Sequence, residues 1–249
     1  MESYRRLCTR FYDTDKPQAP KDAFDFYLGC CERAHGPALE PMTGSGRFLV
    51  PIMEQGIDID GVDASQDMLE ACRQRCRKKG LSPRLFEQTI ERMTLPRQYS
   101  LVIIPASSFC LLTEANQIRE GLKRIASAML SSAKLVMEIE LHMQQESNSW
   151  PWTGRWVDLP EGGKIVVSSL TTYCAVEHIM RSVNRYDLMR DGELCETEME
   201  ELNLRHYDQA EFRALLKDAG FREIKCLKPY SDIYAGDADE SVMFECQKP

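Results

Sequence analysis

Residues 38–46 read Ala-Leu-Glu-Pro-Met-Thr-Gly-Ser-Gly, and the next apolar run ends at Val62-Asp63. Gly44 and Gly46 allow a tight strand-to-helix turn, because without a Cβ the backbone N–H groups can come close to a ligand. An acid about 20 residues beyond such a turn is what a ribose diol needs, since one carboxylate accepts from both hydroxyls. The pairing reads as a nucleotide-cofactor site. A dinucleotide loop of the G-x-G-x-x-G type requires a small residue at position 49, where Leu49 stands, and has no use for the acid that precedes this turn, Glu40.

Outward from the loop, apolar runs alternate with amphipathic stretches. Residues 22–34 form a predicted helix (Asp22, Phe24, Phe26, Tyr27, Leu28, Cys31), 38–41 a strand, 47–55 a helix stopped by Gly56, and 57–63 a strand. Ser65 caps a helix that ends at Lys79-Gly80. Strands follow at 81–88 and 101–104, the latter apolar throughout, as a strand buried on both faces should be, and ended by Pro105. Thr113 caps a helix to about Leu130, 134–140 is a strand, and Asp208-x-x-Glu211 opens a capping-box helix that stops at Gly220. Strands at 222–227 and 241–247 complete the series. The expected fold is α/β: a Rossmann-like, doubly wound sheet of about seven strands with an antiparallel terminal hairpin. Ligands of such sheets sit at the carboxyl ends of the strands, beside the switch in strand order.

From Trp150 the texture changes to period-two alternation, in runs at 164–168, 171–176, 181–188 and 195–205, with Asp191-Gly192 as a hairpin signal. An inserted antiparallel β lid is expected over residues 143–205. Residues 1–142 and 206–249 then make the α/β core with an N-terminal helical cover.

The spelling Leu39-Glu40-x-x-x-Gly44-Ser45-Gly46-Arg47-Phe48, followed by Gly61-Val62-Asp63-Ala64-Ser65-x-x-Met68-Leu69, resembles the class I S-adenosylmethionine-dependent methyltransferases. Phe11-Tyr12-Asp13 and Asp15-Lys16-Pro17 are similar to the small-molecule branch that includes sugar N,N-dimethyltransferases. The resemblance implies methyl transfer from S-adenosylmethionine to nitrogen or oxygen of a small-molecule acceptor, with the insertion covering the substrate. It assigns Gly44 and Gly46 to backbone approach, Asp63 to the ribose hydroxyls, Ala64, Met68 and Ile90 to the adenine, and Glu40 to the ammonium of the methionine part. Tyr12 closes over the methionyl end or simply packs, Arg47 meets the ligand carboxylate or lies on the helix surface, and Pro105 marks the loop nearest the methyl. Three positions depart from the family pattern: Met42 stands for its first glycine, Thr89 for the acid after the third strand, and Ser131-Ser132-Ala133 for its Pro-Gly-Gly.

A general base, if the acceptor needs one, is by default a histidine. Of the four histidines, His142 falls just beyond the fifth strand, on the side of Glu138 and Glu140, and His206 falls where the insertion rejoins the core; each is a candidate base or a structural residue. Trp150, Trp152, Trp156 and Tyr173 line an acceptor pocket or the core of the lid. Composition narrows the class further. A net charge of −8 disfavours a nucleic-acid partner. The basic run Arg73, Arg75, Arg77, Lys78, Lys79 reads as cations at a helix C-terminus. No apolar stretch approaches the roughly 20 residues of a membrane span, and no secretory leader is read, so a cytoplasmic protein is expected. Ten cysteines without metal-ligand spacing read as buried free thiols, with no metal centre expected. Competing readings are a methyltransferase fold that has lost catalysis, for which Met42 and Thr89 speak, and a nicotinamide oxidoreductase, against which Leu49 and Glu40 speak. The sequence sets no oligomeric state.

Overall fold

A computed structural model describes residues 4–142, 148–236 and 238–249. Its larger sheet has seven strands: β1 (Ala38–Pro41), β2 (Ile59–Asp63), β3 (Arg84–Glu87), β4 (Tyr99–Ile104), β5 (Met129–Glu140), and two that come last in the described chain, β11 (Arg222–Leu227) and β12 (Ser241–Gln247). In space they run β11-β12-β5-β4-β1-β2-β3. Strands β1 to β5 pair in parallel, while β12 is antiparallel to both β5 and β11. The order reverses between β1 and β4, which opens a crevice at their carboxyl ends.

Alternation along β4 divides the core between the two faces of this sheet. Val102 and Ile104 face a cluster built with α5 (Ala115–Ala128) and α6 (Gln209–Asp218), where Ile118, Leu122, Phe212 and Leu216 are buried. Leu101 and Ile103 face the opposite cluster, built with α2 (Lys21–Arg33), α3 (Leu49–Glu54) and α4 (Gln66–Lys78), where Tyr27, Leu49 and Cys72 are buried. All ten cysteines are free thiols, and all but Cys174 and Cys195 are buried. Arg73 and Arg77 both pair with Glu70, Arg75 with Asp13 and Lys79 with Glu54. Among the described residues no helix is long and apolar enough to cross a membrane.

A second, antiparallel sheet is formed by β6 (Asn148–Ser149), β7 (Thr153–Asp158), β8 (Lys164–Cys174), β9 (Ile179–Arg190) and β10 (Glu193–Arg205). Residues 143–147, where the insertion was expected to begin, lie outside the described residues. The runs at 164–168 and 171–176 are one strand, β8, because Ser169 and Leu170 keep their register against Asn184 and Val183 of β9. Asp191 and Gly192 both have positive φ, +50° and +81°, the pair of left-handed residues a two-residue hairpin needs.

Residues 6–15 form a helix, α1 (Arg6–Asp15), that the sequence reading did not assign. Nothing within its own first turn caps it; the second sheet does. The carboxylate of Glu200 accepts from the backbone N–H groups of Tyr4 (3.0 Å) and Arg5 (2.6 Å), and that of Glu198 from Leu7 (2.7 Å). Carboxylates at a helix N-terminus satisfy orphan donors and meet the positive end of the dipole. Leu7, Cys8 and Phe11 then bury against Ile165, Val167, Tyr186 and Leu188, so α1 and the second sheet share one small core.

Replacing the buried Glu200 by Leu leaves two N–H groups without an acceptor and is expected to cost about 1–3 kcal/mol. Urea unfolding reads the loss, and hydrogen exchange should accelerate selectively over residues 4–11; unchanged exchange there would show that the cap contributes nothing.

Candidate active site

The crevice is organised by Asp63, at the end of β2. Its two carboxylate oxygens accept from the backbone N–H of Gly44 (2.7 Å) and of Ser65 (2.8 Å), tying the loop after β1 to the loop after β2. Burial pushes this carboxyl up, while the same N–H groups hold it down. Ser65 caps α4 as expected, its Oγ accepting from Met68 N (3.1 Å), and the same hydroxyl donates to Tyr4 O (2.7 Å).

The two loop glycines do different things. Gly44, at φ +56°, lines the crevice. Gly46 is not among the lining residues: a Cβ there would stand 2.5 Å from Cys72 Sγ and 2.8 Å from Val50, so this glycine serves close packing of the loop on α3 and α4. Met42 has φ +60°, a conformation that costs a residue with a Cβ about 1–2 kcal/mol. That backbone is the physical reason a glycine suits this position.

The cavity measures about 750 Å³, within the usual size of small-molecule sites. Its floor is the carboxyl ends of β1 to β4, and its roof is Tyr4 and Arg5 ahead of α1 together with residues 201–203 of β10. At one end stand Tyr12, Glu40 and Arg47. Glu40 is only 3% exposed, its Oε2 has no partner, and burial pushes its carboxyl up to about 8. Arg47 Nε, Thr43 Oγ1 and Ser45 Oγ are likewise buried without partners. The Arg47 guanidinium lies over the rings of Tyr12 (5.6 Å) and Phe48 (5.4 Å), which puts it at the cavity and not on an outer helix surface. At the other end Ala64, Met68, Thr89 and Ile90 line the wall. Glu87, which the sequence reading did not single out, lines it too; it is the register partner of Asp63, so strand pairing supplies an acid at the third strand where Thr89 supplies none.

The loop after β4 closes the site. Pro105 and Ala106 line the cavity, and Ala106 and Ser107 are successive left-handed residues at φ +54° and +52°. Two carboxylates of β5 hold them: Glu138 accepts from Ala106 N (3.2 Å) and Tyr230 OH (2.8 Å), and Glu140 accepts from Ser107 Oγ (2.9 Å). Burial raises the Glu138 carboxyl, against the Tyr230 bond that lowers it.

Neither His142 nor His206, the two candidate bases, is among the residues that line the cavity. His142 N donates to Tyr207 O (3.0 Å) and its ring meets Asp208 Oδ1 at 2.6 Å, which draws it toward the start of α6. This contact also explains why Asp208 makes no side-chain cap there and the expected capping box is not formed, Glu211 being bound to Arg205. His206 is buried beside Tyr173, and burial and the neighbouring His178 and His142 lower its pKa.

Residues 38–131 match the family described as methyltransferase domain. Over the whole chain the fold is similar to that of an S-adenosylmethionine-dependent methyltransferase from Clostridium acetobutylicum (18% identity, 95% of this chain and 96% of that one, TM-score 0.76). It is also similar to a sugar N-methyltransferase from Streptoalloteichus sp. (15%, 92% and 87%, TM-score 0.73) and to an amino pentose methyltransferase from Micromonospora echinaspora (14%, 100% and 99%, TM-score 0.69). The comparisons thus give a methyltransferase domain over the crevice half of the sheet, within a fold similar to that of S-adenosylmethionine-dependent methyltransferases.

Proposed function

We propose that the protein methylates a nitrogen of a small-molecule amine, and that residues 143–205 act as a lid that selects it. The observation that carries this reading is the pair of partnerless buried groups in the cavity wall, Glu40 Oε2 and Arg47 Nε. A carboxyl group, once ionised, and a guanidinium are complementary to the ammonium and carboxylate of a methionyl group. Asp63 keeps a second lone pair on each oxygen for ribose hydroxyls, and Ala64, Met68, Thr89 and Ile90 offer an apolar and hydroxyl-bearing wall to an adenine. Tyr12 covers the methionyl end. The donors present therefore fit S-adenosylmethionine.

When bound, that cofactor supplies an electrophilic methyl, which leaves with its bond electrons going to sulfur as the acceptor's lone pair forms the new bond. The chain's part is alignment. The Pro105-Ala106 backbone, fixed by Glu138, bounds the acceptor side, and Glu201 and Asn203 of the lid face it from above. Among the described residues no imidazole lines the cavity, and the acids around it favour a cationic guest over an anionic one. An amine fits both facts: it is drawn in as a cation and, once it has lost its proton, needs only positioning. The sugar N-methyltransferase and amino pentose methyltransferase of similar fold support the same acceptor class. A fold that has lost catalysis is the second reading, and the strained Met42 favours it.

For Asp63→Ala, the affinity for S-adenosylmethionine measured by titration calorimetry is expected to fall by about 10- to 100-fold, the worth of one or two bonds to a charged group. Unchanged affinity would remove the site assignment. Met42→Gly relieves about 1 kcal/mol of backbone strain and is expected to tighten binding several-fold, about fivefold; weaker binding would show that the thioether contributes contact. In the ligand-free protein Glu40 is mostly protonated at pH 7, since its carboxyl titrates at about 8. Binding an ammonium favours the ionised form, so uptake of the cofactor at pH 7 should release a proton, measurable as a buffer-dependent heat that fades well above pH 8 and vanishes in Glu40→Gln. The same shift has a stability consequence. Unfolded glutamate ionises near 4.3, at about which pH the folded protein still holds the proton, so ligand-free stability should decline as pH rises from about 4.3 to 8. Glu40→Gln should flatten that decline in pH-dependent urea unfolding.

A further inference from the structure

Away from the cavity, three stretches distant in sequence bring histidines and acids together at the base of the second sheet. His178 sits at φ +55° in the turn between β8 and β9, His142 follows β5, His206 and Asp208 follow β10, and Glu211 lies in the first turn of α6. One ligand atom from each of His178, Asp208 and Glu211 lies within 4.8 Å of the others. Donors sharing one ion at about 2.0–2.2 Å lie at most about 4.4 Å apart, so a small side-chain rotation, at the exposed Asp208 or the partly exposed His178 and Glu211, closes the set. Around it, the His142 ring stacks on His178 at 4.8 Å and meets Asp208 Oδ1 at 2.6 Å, the arrangement in which a second imidazole orients a ligating carboxylate. Arg205 holds one oxygen of Glu211 (2.7 Å) and leaves the other.

An independent feature points the same way. His206 is 6% exposed and its Nδ1 has no partner, while its backbone N–H donates to His178 O at 2.8 Å. A buried imidazole nitrogen with nothing to bond, next to the turn that carries His178, is an unmet polar group of the kind a metal site accounts for.

We propose that His178, Asp208 and Glu211 bind a divalent first-row transition ion of the zinc class, with His206 adjacent and His142 as an outer partner. Imidazole with two carboxylates, and no thiolate, suits such an ion and disfavours magnesium, which takes oxygen donors and retains its waters. The ion would join the tip of the β8–β9 hairpin to the start of α6. It would thereby fix the end of β10, whose residues 201–203 roof the cavity. Spacing along the chain could not reveal this set, because His178 lies within the insertion and Asp208 and Glu211 follow it, some 30 residues on.

The test is calorimetric titration of the full, chelator-stripped chain with Zn²⁺, with Mg²⁺ as control and with thermal unfolding in parallel. One zinc per chain is expected, with no magnesium heat and a higher unfolding temperature on loading. His178→Ala and Glu211→Gln, both at partly exposed positions, should each weaken zinc binding by about 10- to 100-fold and remove the thermal shift, while Cys195→Ser, at an exposed thiol elsewhere, should leave both intact. No zinc heat in the parent chain would overturn the proposal. So would undiminished binding in the two ligand variants, or its loss in Cys195→Ser alone.

Discussion

The carboxylate of Asp63 is the constraint on which the site depends. Its bonds to Gly44 N and Ser65 N hold two loops from neighbouring parallel strands at one spacing, and both loops open helices, α3 and α4. Through Ser65 the restraint passes to Tyr4 and so to the roof of the cavity. A single side chain at a strand terminus thus sets the floor of the crevice and registers its cover. Its burial is unfavourable for a charge, and the N–H bonds offset part of that cost, the carboxyl staying above its ordinary value.

The cover is assembled from parts that support one another. α1 lacks a cap of its own and is ten residues long, short for an isolated helix in water. It exists because Glu198 and Glu200 of β10 satisfy its first N–H groups and because Leu7, Cys8 and Phe11 find a core on the second sheet. The second sheet gains from the same contact, having only one face covered in this way. Helix and sheet form one cooperative unit over the cavity, in contact with the α/β core through the Tyr4–Ser65 bond and through the Arg75–Asp13 pair.

Legibility in the sequence followed the range of the interactions. The strands of the larger sheet, the Asp191-Gly192 hairpin and the glycine stops after α3, α4 and α6 rest on local periodicity and local backbone freedom, and the sequence carries those directly. The residues Glu40, Gly44, Asp63 and Met68, which a motif of fixed spacing relates in the sequence, line one cavity in the structure. α1 was not legible, since its cap lies some 190 residues away. His142 misled for a related reason: strand alternation sets it beside Glu138 and Glu140, but the strand has ended, and a contact with Asp208 decides where the ring goes. The capping box at Asp208 failed through the same contact, a tertiary pair winning over a local one.

Unmet polarity concentrates at the loops that line the cavity, and part of the backbone strain lies there too. Met42, Ala106 and Ser107 hold left-handed backbone, and Glu40, Thr43, Ser45 and Arg47 keep buried polar atoms without partners. Each such feature opposes folding, by about 1–3 kcal/mol for a strained residue and a similar amount for an orphaned group. The chain offsets them with the two continuous apolar clusters that flank the sheet, and the left-handed pair after β4 is held by carboxylates from the adjacent strand. A cavity wall that is already desolvated and already oriented has little reorganisation left to do when a zwitterionic guest arrives. In the function proposed above, the instability that Glu40 and Arg47 introduce in the free protein is the free energy that a complementary ammonium and carboxylate would recover on binding.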